Sequence, residues 1–283
     1  MATFYNQATL SYSGGTVYSN TTVGEVLNAI TATKTAVLPE YSANSEVTYS
    51  INLINTGSVA YSDLTVTDDL GGYDFGGNTL VPLDYIESSA RLFINGVLQP
   101  APAVVAGDVL TFSGIDIPAF ANANILYSVR VNEVAPLAEG SVITNTASVT
   151  GNCVSALSAV ETITVSSAPE LTIAKSLEPA TVSSCGSITY TFVISNFGNA
   201  AASATDNVVV TDQFNPILTD LVVSYNGTPW TAGVNYTYNE ATGEFGTALG
   251  EIVIPAATFE QDAVTGEVTV IPSTVTLTVS GNL

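Results

Sequence analysis

The 283-residue chain carries 25 acidic residues against four basic ones and no His, which gives a formal net charge of −21. This balance argues against nucleic acid as a partner, because phosphate binding needs a surface of Lys and Arg. Hydrophobic residues make up 46% of the chain, which suits two domains with real cores and not a disordered segment. No apolar run approaches the roughly 18 residues of a membrane span, and the N-terminus lacks the basic and apolar regions of a signal peptide.

The first thirty residues contain a segment that returns in the middle of the chain. The sequence NQATL at 6–10 is matched by NTASV at 145–149, and VTYSI at 47–51 is matched by ITYTF at 188–192. The order of the repeats is therefore domain end, whole domain, domain beginning. A chain that is out of phase with its own repeat is expected to be completed by another copy of itself, which predicts a polymer subunit. The alternative is a fragment cut from a longer array of repeats.

Nearly every segment alternates polar and apolar residues with a period of two and is rich in Val, Ile, Thr and Tyr, which indicates strands. Turn signals separate the strands at Gly14-Gly15, Asn95-Gly96 and Asn226-Gly227. The predicted fold is all-β: two tandem immunoglobulin-like β-sandwiches plus an N-terminal donor β-hairpin arm. The predicted domains are the arm at 1–31, a first sandwich at 32–166 and an incomplete second sandwich at 169–283.

The second sandwich lacks a hairpin that the first one has. In the first domain the strand at 126–131 is followed by a hairpin at about 142–166, whereas the equivalent strand at 274–280 has only three residues after it. The arm is expected to supply this hairpin to a neighbouring subunit, because an open groove with unpaired strand edges accepts a strand from a partner. The residues predicted to form this assembly are Ala8, Leu10 and Tyr12 of the arm and Val275, Leu277 and Val279 of the last strand.

Both lysines of the chain occupy equivalent positions in the two repeats, and each has an Asp and an Asn as potential partners. The strand phase points all of these polar side chains toward the core, in the same direction as their apolar neighbours. The two predicted sets are Lys34, Asp68 and Asn145 in the first sandwich, and Lys175, Asp212 and Asn6 in the second, with Asn6 coming from the arm.

This combination of residues predicts an isopeptide bond. Burial lowers the pKa of a Lys, by up to about 3–5 units, and favours the neutral form of an acid. A neutral amine can attack the side-chain carbonyl of Asn while the Asp polarises it and shuttles protons, and ammonia leaves. Lys34 would bond to Asn145 within one subunit with help from Asp68. Lys175 would bond to Asn6 of the next subunit with help from Asp212.

Two alternatives to this bond stay open. The first is a buried Lys–Asp ion pair with Asn as a hydrogen-bonding neighbour, which fixes strand register but adds little net stability. The second makes Asn55 or Asn196 the acceptor, although each precedes a Gly by two residues and is more typical of a turn.

The Lys, Asp and Asn set resembles that of self-crosslinking immunoglobulin-like domains of bacterial pili and adhesins, which place a Lys on an early strand and an Asn on the last strands. The short motifs Thr33-Lys34, Asn55-Thr56-Gly57 and Val66-Thr67-Asp68 also resemble a bacterial and archaeal surface-repeat family known as domain of unknown function eleven. These resemblances imply an extracellular structural repeat with a sandwich fold and no known enzymatic activity.

Other chemistry has weaker sequence support. Cys153 and Cys185 lie on either side of the predicted linker, Ser166-Ser167-Ala168-Pro169, and are candidates for a disulfide. No metal site with usable spacing is found, apart from weak surface Ca²⁺ binding at Asp68-Asp69, and no cofactor is expected. Without His or a Cys/His pair, hydrolytic catalysis has no support, so we expect no enzyme beyond autocatalytic isopeptide formation.

The sequence therefore predicts a subunit of an extracellular or cell-surface filament, a homopolymer assembled head to tail by donor-strand complementation. The alternative is a spacer or stalk of a large adhesin or surface-layer protein. A carbohydrate-binding module is a third possibility, but Trp230 is the only Trp available for an aromatic platform.

Overall fold

The computed structural model describes residues 2–26, 29–152, 154 and 157–283, and these residues form an all-β sandwich fold, as predicted. Within these ranges no helix has the length and apolar character needed to cross a membrane. The chain divides into two compact units, Met1–Asn132 with Ile143–Ile163, and Glu133–Val142 with Thr164–Leu283. This division groups the arm with the first sandwich and gives 133–142 to the second unit, so it differs from the boundaries expected from sequence.

The arm is a long β-hairpin whose strands pair with one another. Its strands are β1 (Ala2–Asn6), β2 (Thr9–Tyr12), β3 (Gly15–Tyr18) and β4 (Thr22–Val26). β1 pairs with β4 and β2 with β3, both antiparallel. The turn falls at Ser13 and Gly14, one residue earlier than predicted, because Tyr12 pairs directly with Gly15. Apart from a half-buried Gly24, residues 3–25 are exposed.

The first unit contains two main sheets. Its strands are β5 (Ile30–Ala36), β6 (Glu40–Tyr41), β7 (Glu46–Asn55), β8 (Tyr61–Asp68), β9 (Tyr73–Phe75), β10 (Asn78–Leu80), β11 (Leu83–Tyr85), β12 (Arg91–Ile94), β13 (Val97–Leu98), β14 (Ala103–Val105), β15 (Leu110–Ile117), β16 (Asn122–Val131), β17 (Val142–Thr150) and β18 (Leu157–Val165). One sheet has the order β13-β12-β16-β7-β5, with β11 also paired to β16, and the other has the order β14-β15-β8-β17-β18-β6.

The alternation in sequence explains which faces of these sheets are buried. Along β7, Val47, Tyr49, Ile51 and Leu53 are all at most 3% exposed, while the residues between them are half-buried. Neighbouring side chains of a strand point to opposite faces, so one apolar residue in two is enough to build the core. The predicted Asn95-Gly96 turn joins β12 to β13, and both of its residues have the left-handed φ that such a turn requires, 49° and 78°.

The second unit continues with β19 (Leu171–Glu178), β20 (Ser187–Asn196), β21 (Thr211–Gln213), β22 (Thr219–Tyr225), β23 (Thr228–Pro229), β24 (Tyr236–Asn239), β25 (Glu244–Thr247), β26 (Thr258–Gln261), β27 (Val268–Ile271) and β28 (Ser273–Asn282). A short 3₁₀ helix, Ala204–Asp206, precedes β21. One sheet has the order β19-β20-β28-β22-β23 and another the order β21-β25-β24, while β26 and β27 form a separate pair.

The last strand, β28, lies between β20 and β22, so both of its edges are already paired. This corrects the role predicted for Val275, Leu277 and Val279, because another chain cannot add a strand beside them. All three side chains are at most 3% exposed and belong to the core. Among the described strands, β21 has a partner, β25, along one edge only.

We expect Leu277→Ala to destabilise the second unit by about 2–5 kcal/mol, because it removes a fully buried side chain and leaves a cavity. The matched control is Leu249→Ala, since Leu249 is 69% exposed and its truncation should change the free energy of unfolding by less than about 0.5 kcal/mol. Denaturant unfolding followed by tryptophan fluorescence measures both. Equal effects of the two variants would contradict the core described above.

Candidate functional site

In the first unit the structure places Lys34, Asp68 and Asn145 in the core between the two sheets. Lys34 lies on β5 in one sheet, whereas Asp68 on β8 and Asn145 on β17 belong to the other. β8 and β17 are neighbours, and Asp68 is paired with Ala147, two residues from Asn145 on the same face. All three side chains are buried, at 3%, 0% and 0% exposure. We call this set the closed site.

The closed site is held by a buried ion pair. Lys34 Nζ donates a hydrogen bond to Asp68 Oδ2 at 2.6 Å, and both side chains are fully inaccessible to solvent. Asp68 Oδ1 accepts a second hydrogen bond from the backbone N–H of Leu70 at 3.1 Å. Burial lowers the pKa of Lys34, and the attraction of Asp68 opposes this effect only in part. The site therefore favours the neutral amine more than water does.

Two tyrosines line the closed site from the lysine's own sheet. Tyr127 on β16 donates its hydroxyl to Asp68 Oδ2 at 2.5 Å, and the ring of Tyr49 lies 4.8 Å from Lys34 Nζ. The two rings stack with their centroids 5.7 Å apart. The sequence analysis gave neither tyrosine a role, because only the pairing of β7 with β16 brings them together.

Asn145 is buried without a hydrogen bond. Among the described residues, three buried side-chain polar atoms have no hydrogen-bonding partner: Asn145 Nδ2, Asn145 Oδ1 and Tyr49 Oη. Burial raises the pKa of the Tyr49 hydroxyl, and the neighbouring amide of Asn145 opposes this rise in part, although the two groups do not form a hydrogen bond. Each such buried group costs about 1–3 kcal/mol. An amide left in this state beside a buried amine is explained if it is a reactant.

In the second unit Lys175 and Asp212 form the same pair in an open setting. Lys175 lies on β19 and Asp212 on β21, and Lys175 Nζ donates to Asp212 Oδ2. Here the side chains are 40% and 18% exposed, against 0% for both members of the pair in the closed site. We call this pair the open site.

Three aromatic rings surround the ammonium of the open site. Lys175 Nζ lies 4.5, 5.3 and 5.5 Å from the ring centroids of Tyr190, Phe192 and Phe214. Tyr190 occupies the position of Tyr49 in the repeat, because Tyr49 pairs with Ala36 and Tyr190 with Leu177, each two residues after the lysine. A cation facing several rings is stabilised by their negative faces while its remaining side stays in water.

The strand that would cover the open site is missing from the described residues of the second unit. In the first unit β8 pairs with β15 on one side and β17 on the other, whereas β21 pairs with β25 alone. The residues of β19 are exposed along their whole length, including the inward-phased Ile173 at 57%. The open site therefore has a free strand edge and an uncovered apolar face beside its lysine.

The arm carries the side chains that β17 uses in the first unit. Ile143, Asn145, Ala147 and Val149 are buried on one face of β17. The corresponding face of the arm presents, in the same order, Phe4, Asn6, Ala8 and Leu10, all exposed.

The two hairpins also share a register. Thr144 and Thr162 hydrogen-bond through their hydroxyls across β17 and β18, and Tyr5 pairs with Val23 at the equivalent place in the arm. The ring of Phe4 lies over Gly24, where a Cβ atom would come within 2.3 Å of it. At the equivalent positions of the repeat the first unit has Ile143 and Ile163, both buried.

Asn55 and Asn196 are turn residues, as their sequence context indicated. The Asn55 amide nitrogen donates to the carbonyl oxygens of Val59 and Pro118, and its Oδ1 accepts from the N–H of Gly57. Asn196 repeats this pattern in the second unit. Both amides are buried and fully bonded, so they hold loops in place and do not face the lysines as free amides.

The remaining sequence candidates gain little from the structure. Cys185 is exposed and Cys153 lies outside the described residues, so their disulfide stays a prediction. The described residues contain no cluster of His, Cys, Asp and Glu that could hold a metal. Asp69 instead accepts hydrogen bonds from the backbone N–H groups of Gly71 and Thr146. Trp230 is half-buried and stacks on Tyr225.

Comparison with protein-family models and with curated protein sequences gives no match, so the resemblance to domain of unknown function eleven stays a prediction. Among solved structures the chain is similar to BcpA, the major pilin subunit of Bacillus cereus, with 15% identity, 96% of this chain and 73% of the pilin covered, and a TM-score of 0.37. It is also similar to the pilus backbone RrgB of Streptococcus pneumoniae (11% identity, 86% and 55% covered, TM-score 0.33). A third is the collagen-binding domain of a Staphylococcus aureus adhesin (14%, 47% and 95%, TM-score 0.29). Similarity at this level carries no argument about function.

The predicted bond between Lys34 and Asn145 would release one ammonia from the first unit. We expect Asn145→Ala to abolish this release and Asn55→Ala to leave it unchanged. Asn55 is bonded to its own loop, so its removal should instead lower the free energy of unfolding by about 1–3 kcal/mol through unpaired carbonyl groups. Intact mass spectrometry checks the first statement and denaturant unfolding the second. Loss of the mass change in Asn55→Ala alone would make Asn55 the acceptor.

Proposed function

We propose that this chain is the structural subunit of an extracellular or cell-surface filament that polymerises head to tail. The arm of one subunit covers the open site of the next, where it adds a strand along the free edge of β21. An isopeptide bond between Asn6 and Lys175 then joins the subunits, and a second one between Lys34 and Asn145 clamps each first sandwich internally.

One observation carries this proposal: the second unit exposes a lysine–aspartate pair that the first unit buries against Asn145, and the arm exposes an Asn in the matching pattern. Because Asn6 and Asn145 stand at the same place in the same register, an arm that replaces β17 brings Asn6 to Lys175. Covering the open site also removes water from Lys175 and Asp212, which recreates the setting of the closed site.

Noncovalent forces favour the insertion before any bond forms. Burying an exposed apolar side chain such as Phe4 or Leu10 contributes about 1.5–3 kcal/mol. Backbone hydrogen bonds along the edge of β21 add to this gain and set the register. The contact joins two different surfaces of identical subunits, and such a contact generates an open fibre unless it closes into a ring.

The chemistry of the bond is balanced. The neutral amine attacks the amide carbon, the C–N bond of the Asn side chain breaks, and one ammonia leaves. The aspartate takes a proton from the attacking nitrogen and gives one to the departing nitrogen, so its own protonation state is restored. Covalent linkage outside the cell prevents a filament from dissociating by mass action on dilution.

We expect the assembled protein, boiled with reductant, to give a ladder of multimers on a denaturing gel. Each subunit should lack one ammonia for its internal bond, and each junction should remove one more. Asn6→Ala should abolish the ladder and keep the internal loss. A single band at the full calculated monomer mass would overturn both bonds, and a single band lacking one ammonia would confine the chemistry to the closed site.

Mixing two complementary variants tests whether the junction is formed in trans. A chain with Lys175→Ala keeps Asn6 in its arm but lacks the lysine of the junction. A chain with Asn6→Ala keeps Lys175 but lacks the amide that the lysine attacks. Each should stay monomeric on the gel by itself, while the mixture should give covalent dimers and nothing longer. Loss of two ammonia molecules from wild-type monomers would instead show that the arm reacts within its own chain.

A further inference from the structure

The hydroxyl of Tyr49 is a buried donor without an acceptor, and it lies beside a buried amide that also lacks partners. Tyr49 is fully buried, its Oη has no hydrogen bond, and the same is true of both polar atoms of Asn145. The ring stands 4.8 Å from Lys34 Nζ. Tyr49 thus neighbours both the amine of Lys34 and the amide of Asn145 in a part of the core that solvent does not reach.

This tyrosine is repeated in the open site, whereas Tyr127 is not. Tyr190 lies 4.5 Å from Lys175 Nζ, much as Tyr49 lies by Lys34. The residue that pairs with Tyr49 is Tyr127, but the residue that pairs with Tyr190 is Val279. The two sites therefore share a Lys, an Asp and one Tyr, which indicates that the shared Tyr serves the chemistry common to both.

We propose that the hydroxyl groups of Tyr49 and Tyr190 donate a hydrogen bond to the oxyanion that develops on the Asn side-chain oxygen when the lysine attacks. This inference rests on the isopeptide bonds proposed above. The attack turns the planar amide carbon of Asn145 tetrahedral and moves its oxygen. A hydrogen bond from the Tyr49 hydroxyl to this oxygen, which is absent before the reaction, can therefore form during it. An interaction formed only at this stage lowers the barrier without stabilising the reactants.

The remaining groups then have separate tasks. Lys34 provides the nitrogen that forms the new C–N bond, and Asp68 carries protons from that nitrogen to the ammonia that leaves. Tyr49 stays protonated throughout, because burial raises the pKa of its hydroxyl above the usual value for tyrosine. Tyr127 is a positioning residue, since its hydroxyl holds the oxygen of Asp68 that faces Lys34.

The test uses the two complementary full-length chains, with Tyr190→Phe added to the Asn6→Ala chain, which keeps Lys175. The rate of covalent dimer formation should fall by about 10²–10³-fold, which is the usual effect of removing one oxyanion donor. The noncovalent affinity between the two chains should not change. It is measured with a Lys175→Ala chain that also carries Asn6→Ala and therefore cannot form the bond. Tyr225→Phe is the matched control, because that hydroxyl bonds to the carbonyl of Val253 away from the lysine, and it should react at the parent rate.

The outcomes separate this inference from the proposed function. If the parent pair forms no covalent dimer, the proposed junction fails, and this inference fails with it for the open site. If the parent pair reacts and Tyr190→Phe reacts equally fast, the oxyanion role is overturned while the junction stands. A loss of affinity that accounts for the whole drop in rate would also overturn it, since it would show a packing role.

The closed site offers a second readout. Freshly made Tyr49→Phe should contain a species that still holds its ammonia and loses it slowly, whereas the parent should be fully converted. The substitution removes an unpaired hydroxyl, so it should not lower the free energy of unfolding of the uncrosslinked form. Complete conversion in Tyr49→Phe at the parent rate would contradict the assignment.

Discussion

The cost of burying a lysine is the constraint on which the rest of this structure depends. An ammonium ion in a dry interior costs several kcal/mol unless it is paired. Lys34 meets this cost with Asp68 from the opposite sheet, and Asp68 in turn is held by Tyr127 and by the N–H of Leu70. The two sheets of the first unit are therefore connected through one polar cluster in an otherwise apolar core.

In the second unit the lysine avoids this cost by remaining partly exposed to solvent. Its Lys175–Asp212 pair has no covering strand among the described residues, so solvent reaches both side chains. In the arm it is apolar side chains that are exposed, because Phe4, Leu10 and Tyr12 project from a hairpin with no core of its own. The proposed insertion of the arm would bury these apolar side chains and cover the open site in a single step.

Much of this arrangement could be predicted from period-two alternation alone. The phase of each strand correctly placed Lys34, Asp68 and Asn145 in the core, because a strand's side chains alternate strictly between its two faces. Long-range pairing could not be predicted in this way. The Asp68–Tyr127 bond joins strands of different sheets, and the position of β28 between two partners follows from sheet order, which no local pattern contains.

The two sites also differ in the side chains that surround the lysine. Lys34 pairs across strands with Ile51, but Lys175 pairs with Phe192, and Leu70 is replaced by Phe214 two residues after the aspartate. A cation over aromatic rings is stabilised by about 0.5–1 kcal/mol when exposed and by more when desolvated. The rings of the open site therefore hold the ammonium of Lys175 in place while water still reaches it. The closed site has aliphatic side chains at these two positions, and its Lys34–Asp68 pair is inaccessible to solvent. Under the proposed mechanism the closed site would therefore react once the first unit has folded, whereas the open site would react only after the arm of another subunit covers it and supplies Asn6.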